Sequence, residues 1–264
     1  MNTSLIITTY NRPEALALVL ESVLVQTVMP DEIIIGDDGS KDETRLLIEK
    51  YTKRLPVPIK HIWQEDKGFR VAKLRNQCIQ NAQNEYIISI DGDIVLHKEF
   101  IKSHVLSAEK AAFLQGHRVM LGEKITEKAL KNGLKKYSFF DKDIKNRKNT
   151  IHNFFLAKLF SKKSKRKTGL KGGIMSFWKK DALKINGYNE DFEGWGKEDS
   201  EFGIRLINSG VKRKDLRFCA VTYHLDHGNS SKTLHRERFE RNLSILQNTI
   251  EQKLITCKNG LEKL

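Results

Sequence analysis

The chain has 264 residues, of which 39% are hydrophobic and 30% charged, and its formal net charge is +14. That length buries a sizeable core, as one large α/β domain or two small ones, and the positive balance points to an anionic partner: nucleic acid, an anionic membrane surface or a phosphate-bearing substrate. Three widely spaced cysteines (Cys78, Cys219 and Cys257) form no zinc spacing or disulfide framework, and no stretch approaches the roughly 18 apolar residues of a bilayer span, so a cytoplasmic protein is expected.

Residues 5–8 form a first strand, with Thr9-Tyr10-Asn11-Arg12 as the loop at its end. Pro13 suits the first turn of a helix carrying Leu16, Leu20, Val23 and Leu24 on one face. A second strand over 32–36 ends in Asp37-Asp38-Gly39-Ser40, and a helix over 41–54 follows with Leu46, Leu47 and Ile48 buried. Residues 59–63 make a third strand and 70–83 a helix. A fourth strand, 86–90 (YIISI), then runs straight into Asp91-Gly92-Asp93. Strands alternating with helices predict a parallel sheet with right-handed crossovers, and such sheets bind ligands beyond the carboxyl ends of their strands. The TYNR, DDGS and DGD clusters all fall at that edge. Neither G-x-G-x-x-G nor G-x-x-x-x-G-K-[ST] occurs, which argues against a dinucleotide or P-loop enzyme.

The second half is less regular. Residues 111–121 supply a strand, 123–136 a basic helix, and 218–223 a strand-like run ahead of His224. The stretch 139–171 is loop-like or weakly helical and strongly basic, with Lys162, Lys163, Lys165, Arg166 and Lys167 in one run. Just before that run, Phe154, Phe155, Leu156, Leu159 and Phe160 recur at helical spacing. The segment is either a solvated linker beside one core-facing turn or an apolar edge with a basic neighbour, suited to an anionic lipid surface. Gly172-Gly173, ahead of a strand from Ile174, allows close approach to a ligand or makes a plain bulge.

Two carboxylates one residue apart at a strand end can jointly hold a hard divalent cation that also contacts a diphosphate. A rival fits the same residues: D-x-D-x-[TV] opens phosphatases of the haloacid dehalogenase type, with Asp91 as nucleophile, although that motif sits on a first strand rather than a fourth. In the stretch 187–199, Gly194 and Gly196 flank Trp195, an aromatic platform for a sugar ring, and Glu198 and Asp199 open a helix. Carboxylates favour a helix N-terminus, which should keep the Asp199 pKa low unless burial against Trp195 offsets it. The Lys67-Gly68-Phe69-Arg70 loop, with Arg75 and Asn76 beyond it, is a surface loop or brings Arg70 or Arg75 near a diphosphate.

With TTYNR, DDGS and DGD in that order and GWGKED downstream, the chain resembles a family 2 glycosyltransferase of the GT-A fold. Its W-G-x-E-D element is similar to that of β-1,4-galactosyltransferases and bacterial chondroitin-type polymerases. The resemblance implies a nucleotide-sugar-binding half at 1–115 and an acceptor-binding, catalytic half at 116–235. A basic insertion at about 139–171 and a C-terminal helical tail at 236–264 complete the expected organisation. Thr8, Tyr10, Asn11 and Arg12 would line the nucleotide pocket, Asp37 or Asp38 would accept from the uracil, and Lys67, Arg70 and Arg75 would lie near the diphosphate. Asp91 would face ribose and metal, Asp93 would bind Mn²⁺ (or Mg²⁺) directly, and His224 would be the distant ligand, with His227 competing for that role. Asp199 would be the general base and Glu198 would position hydroxyls, while Gly173, Trp195 and Gly196 would meet the sugar. The implied reaction is inverting transfer from a UDP-sugar, UDP-Gal or UDP-GalNAc ahead of UDP-Glc or UDP-GlcNAc. The acceptor would be a bacterial surface glycan such as lipopolysaccharide or capsule, lipid-linked at the inner face of the membrane. Nucleic acid is not an expected partner, because the acidic clusters would repel its phosphates.

Overall fold

The structure is a computed structural model that describes residues 1–133, 137–227 and 236–264. Its first strand, β1 (Thr3–Thr9), is buried along its whole length. Leu5 and Ile7 enter one hydrophobic core and Ile6 the other, as the two-residue period of a strand covered on both faces requires. Next come α1 (Pro13–Leu24), β2 (Glu32–Asp37), α2 (Asp42–Thr52), β3 (Ile59–Trp63), α3 (Val71–Asn81) and β4 (Tyr86–Asp91). These four strands are parallel, in the spatial order β3-β2-β1-β4. Register places Thr9 opposite Asp37 and Thr8 opposite Asp91, so the three polar clusters meet at one edge. Leu16, Leu20 and Val23 bury the inner face of α1, but in α2 the buried positions are Thr44, Ile48 and Tyr51. Leu46 is exposed, because an inward face at Ile48 repeats at Thr44 and Tyr51, not two residues earlier.

Beyond Asp93 the chain forms β5 (Ile94–Leu96), α4 (Phe100–Ser107), β6 (Ala112–Gln115), β7 (Arg118–Leu121) and α5 (Glu123–Asn132). The single strand expected over 111–121 is therefore two, broken at Gly116-His117 and paired in different sheets. The expected helix over 123–136 ends at Asn132, and 134–136 lie outside the described residues. Within the basic stretch are β8 (Ile144–Lys145), a 3-10 turn at Arg147–Thr150, α6 (Phe154–Phe160) and β9 (Lys163–Ser164). The remaining elements are β10 (Ile174–Trp178), α7 (Lys179–Lys184), α8 (Glu198–Asn208), β11 (Lys212–Asp215), β12 (Thr222–His224) and α9 (Arg236–Glu251). Only 222–224 of the strand-like run at 218–223 and His224 pairs as strand.

Strand β10 lies antiparallel between β4 and β6, extending the main sheet to β3-β2-β1-β4-β10-β6-β11-β9. A second sheet, β5-β12-β7-β8, packs beside its carboxyl edge. No helix among the described residues is long and apolar enough to cross a membrane.

A buried ion pair fixes α8. Arg205, fully buried, donates to both Glu201 oxygens at 2.6 and 2.8 Å and to the carbonyls of Ile185 and Gly187, while Thr249 of α9 donates to the same carboxylate at 3.3 Å. Removing one partner leaves an uncompensated buried charge. Glu201→Ala is therefore expected to lower stability by about 3–5 kcal/mol in urea denaturation; a loss under about 1 kcal/mol would mean that the clamp does not position α8.

Candidate active site

The strand ends open on a cleft of about 1820 Å³ lined by both halves of the chain. At its β1 rim, Tyr10 is half exposed and donates to Asp66 at 2.8 Å. Asn11 staples the β1 and β2 loops: its N–H donates to Ser40 Oγ at 2.8 Å and its side-chain oxygen accepts from Lys41 at 3.0 Å. Of the two aspartates after β2, Asp38 lines the cleft and Asp37 does not. Asp37 is buried, accepting from the Ser40 N–H at 2.8 Å and lying 3.1 Å from the His61 ring nitrogen. Asp38 accepts from Gln64 and from the Arg70 N–H at 3.0 Å, and its burial raises its pKa. Lys67 pairs with Glu65 at 2.7 Å, Arg70 donates to the Glu65 carbonyl, and neither lines the cleft.

The DGD turn is held against β1, since the Gly92 N–H donates to the Thr8 carbonyl at 2.7 Å. A Cβ at position 92 would stand 2.9 Å from that carbonyl, which is why the middle residue is glycine. Asp91 accepts from Thr8 at 3.4 Å and from Arg75 at 3.0 Å. Gly173, brought alongside by the pairing of Ile174 with Ile90, accepts from the Asp91 N–H at 3.2 Å. Asp93 accepts from Arg12 at 3.1 Å, and the Nε2 atoms of His224 and His227 lie 3.7 and 3.9 Å from its oxygens. One ligand atom from each of these three residues can be chosen so that all lie within 4.8 Å of one another. Asp91 stands outside this cluster, whereas the competing histidine, His227, joins His224 in it.

Burial and the neighbouring Asp91 push the Asp93 pKa up to about 6, against the pull of Arg12. Burial, with Arg118 nearby, pushes His224 down to about 3. Each of the two groups carries a buried atom without a hydrogen-bond partner, Oδ1 of Asp93 and Nδ1 of His224. An orphaned carboxylate oxygen beside two imidazoles fits a divalent ion, and the mixed oxygen and nitrogen set suits Mn²⁺ better than Mg²⁺.

Opposite stands the N-terminus of α8. Arg75, fully buried, reaches Glu198 at 3.1 Å and Asp199 at 3.0 Å with one guanidinium nitrogen and Asp91 with another. Arg75 thus ties the two acidic clusters together in this structure. Burial raises the Asp199 pKa well above the ordinary carboxylate value; Arg75 lowers it, and Glu198 and Asp91 raise it further. The low pKa expected at a helix N-terminus is overturned because desolvation outweighs the dipole. The covering groups are Gly172 and Tyr188 rather than Trp195: a Cβ on Gly172 would overlap the Asp199 carboxylate, and the Tyr188 hydroxyl donates to it at 3.4 Å. Trp195 is partly exposed at the cleft and stacks on Phe239 of α9, centroids 5.8 Å apart. Asn242 of α9 donates to the carbonyls of Glu193 and Gly196 at 3.2 and 3.1 Å, so α9 braces the Gly-Trp-Gly loop.

Sequence reasoning gave Gly172 a close approach to a ligand or a bulge rather than contact with Asp199, and gave no role to Tyr188, Arg118 or Phe239. Tyr188 lies inside the motif quoted above and could have been taken with it; Arg118 and Phe239 carry no local signal.

The model for glycosyl transferase family 2 matches residues 4–169. The chain belongs to glycosyl transferase family 2. A second model, the N-terminal domain of galactosyltransferase, matches residues 155–228. Among curated relatives, chondroitin synthase of Escherichia coli is 27% identical over 84% of this chain and 34% of its own length. Validoxylamine A glucosyltransferase of Streptomyces hygroscopicus subsp. limoneus is 28% identical, over 79% and 48%. The chain thus spans about a third to a half of these relatives. Among solved structures, S. aureus TarS 1-349 in complex with UDP-GlcNAc superposes with a TM-score of 0.62 at 18% identity, covering 93% of this chain and 65% of that one. GalNAc-T7 with UDP, GalNAc and Mn2+ superposes with a TM-score of 0.69 at 13% identity, covering 95% and 49%. These likenesses establish the GT-A fold for this family 2 chain. None of the matches supports the phosphatase alternative, and Asp91 is engaged by Arg75 and Thr8 rather than free to attack.

The raised Asp199 pKa has a consequence for stability. A carboxyl whose folded pKa exceeds its unfolded value destabilises the fold progressively as pH rises past the unfolded value, near 4. Asp199→Asn is therefore expected to match the wild-type chain near pH 4 and to be the more stable of the two at pH 7 to 8, in thermal denaturation across about that range. Greater stability of the wild type at pH 8 would mean that Arg75 prevails over desolvation.

Proposed function

We propose that this family 2 chain transfers a hexose or N-acetylhexosamine from a UDP-sugar to a glycan hydroxyl with inversion. The observation that carries the reading is the pairing across one cleft of an Asp93–His224–His227 cluster with a desolvated Asp199. The acceptor oxygen bonds to the anomeric carbon as the bond from that carbon to the diphosphate oxygen breaks. Its proton passes to the Asp199 carboxylate, and UDP leaves. Burial makes Asp199 a stronger base than a solvated aspartate, and Arg75 orients it and offsets part of that rise. Asp93 and the two histidines would hold a Mn²⁺ or Mg²⁺, which would supply positive charge for the departing diphosphate. Glu198 positions hydroxyls, and Trp195, backed by Phe239, offers its open face to a sugar ring.

UDP-Gal or UDP-GalNAc is the favoured donor, supported by the galactosyltransferase model match and by the likeness to GalNAc-T7. UDP-Glc or UDP-GlcNAc comes next, in line with the glucosyltransferase relative and the TarS complex. The acceptor we favour is a bacterial surface glycan, lipopolysaccharide or capsule.

A panel of UDP-sugars assayed for UDP release, with and without Mn²⁺ and chelator, tests this reading. Release should follow UDP-Gal or UDP-GalNAc and stop on chelation. Asp93→Ala should weaken Mn²⁺ binding by about 10- to 100-fold in calorimetry. Asp199→Asn should cut transfer by about 10²- to 10⁴-fold while UDP binding persists. Normal transfer by Asp199→Asn would move the base elsewhere, and normal metal dependence of Asp93→Ala would refute the metal assignment.

A further inference from the structure

Helix α6 turns its apolar side chains outward. Of its seven residues only Ala157 is buried, while Phe155 is 72% exposed, Phe160 57% and Leu159 50%. The helix is nevertheless fixed at both ends. Asn153 caps it, accepting from the Phe155 and Leu156 N–H groups at 3.0 and 3.1 Å, and its own N–H donates to the Phe218 carbonyl at 2.8 Å. At the far end Ser161 accepts from the Arg217 N–H at 2.9 Å. A firmly held helix that presents four large apolar side chains to solvent, Phe154 among them, is built to meet something.

The surrounding charge selects what it meets. Residues 139–171 hold eleven of the 47 Lys and Arg but only two acidic residues, so they carry +9 of the chain's +14. Lys158, Lys162, Lys165 and Arg166 are exposed around α6. A protein interface of the ordinary kind is depleted in lysine, whereas an anionic bilayer takes apolar side chains between its headgroups and lysines against them. We propose that α6 and its flanking cations dock the chain on an anionic lipid surface, with Phe155, Leu159 and Phe160 inserted at the headgroup level. The same segment places Lys145, Arg147 and Lys148 on the cleft wall, so docking sets the cleft beside the membrane, where a lipid-linked acceptor would reach it. The docking is independent of the proposed chemistry.

Co-sedimentation of the full chain with vesicles of phosphatidylcholine alone, or mixed with phosphatidylglycerol, is the test. Binding is expected only with phosphatidylglycerol present and should weaken as salt rises. Phe155→Ser with Phe160→Ser should reduce it about tenfold or more, and Lys165→Gln or Arg166→Gln about fivefold each. Thermal midpoint and UDP release should not change in these variants, which separates failure of docking from failure of the fold or of the transferase reading. The emission of Phe155→Trp should shift to the blue on anionic vesicles. Equal binding by the Phe155/Phe160 double variant, no binding by the wild type, or equal binding to neutral vesicles would each overturn the proposal. So would a wild-type dimer in light scattering that the double variant dissolves, since a second copy would then cover α6.

Discussion

Four of the carboxylates lining the cleft are held by just two arginines, and their mutual repulsion is the constraint the rest of the structure answers. At about 4 Å and an effective dielectric near 20, two like charges repel by about 4 kcal/mol. Asp91, Asp93, Glu198 and Asp199 come from parts of the chain more than a hundred residues apart. Arg75 contacts three of them and Arg12 the fourth. Arg75 lies against the Tyr188 ring, 5.3 Å from its centre, so its fork is set before any ligand arrives. A lysine there could not reach three carboxylates at once, because an ammonium is a point charge without a planar fork. Helix α3 makes this possible by packing Ala72, Cys78 and Ile79 into the core beneath the sheet, which fixes the height at which Arg75 emerges.

The Asp93–His224–His227 half of the site depends on the small second sheet. Strand β5 begins at the residue after Asp93 and pairs with β12, placing His224 opposite Ile94, and the Leu225 N–H donates to the Asp93 carbonyl at 3.0 Å. Asp93 and His224 are thereby fixed by backbone pairing rather than by side-chain attraction. Their pKa shifts run in opposite directions, yet both favour the uncharged form. A protein that needed only stability would fill such a place with apolar groups. Two desolvated polar groups kept at short range, each with an orphaned atom, make sense as a place prepared for an outside charge.

Much of this was legible from the sequence because it is local. Strands β1, β2 and β4 announce themselves through apolar runs rich in β-branched residues, and TYNR, DDGS and DGD mark their carboxyl ends. Glu198 and Asp199 follow a glycine-rich approach that reads directly as the start of a helix. What stayed hidden is non-local. The stretch 111–121 looks like one strand, but Gly116 and His117 divide it between two sheets, a choice made by β10 and β12 from far along the chain. Leu46 looks buried in a run of three apolar residues, yet a helix can turn inward only those on one face. Nothing near Arg75 shows that it will bridge carboxylates rather than bind phosphate. The helix dipole is a local property and predicts a low pKa for Asp199, whereas the burial that reverses it comes from Gly172 and Tyr188.

Net charge was the least specific of the sequence signals, and the structure shows why. The cations belong to two populations. Arg12, Arg75, Arg205 and Arg213 point inward and are neutralised by carboxylates, so they organise the fold and the cleft without making either one basic. About two-thirds of the excess, +9 of +14, sits on residues 139–171, in two- to seven-residue elements that bury little. A segment so poor in core and so rich in like charge repels itself unless an anionic surface lies opposite. It meets the cleft on one side and presents the open face of α6 on the other. Among the described residues only Lys163 of this segment forms an ion pair, with Glu109, so most of its charge is left for the anionic surface proposed above.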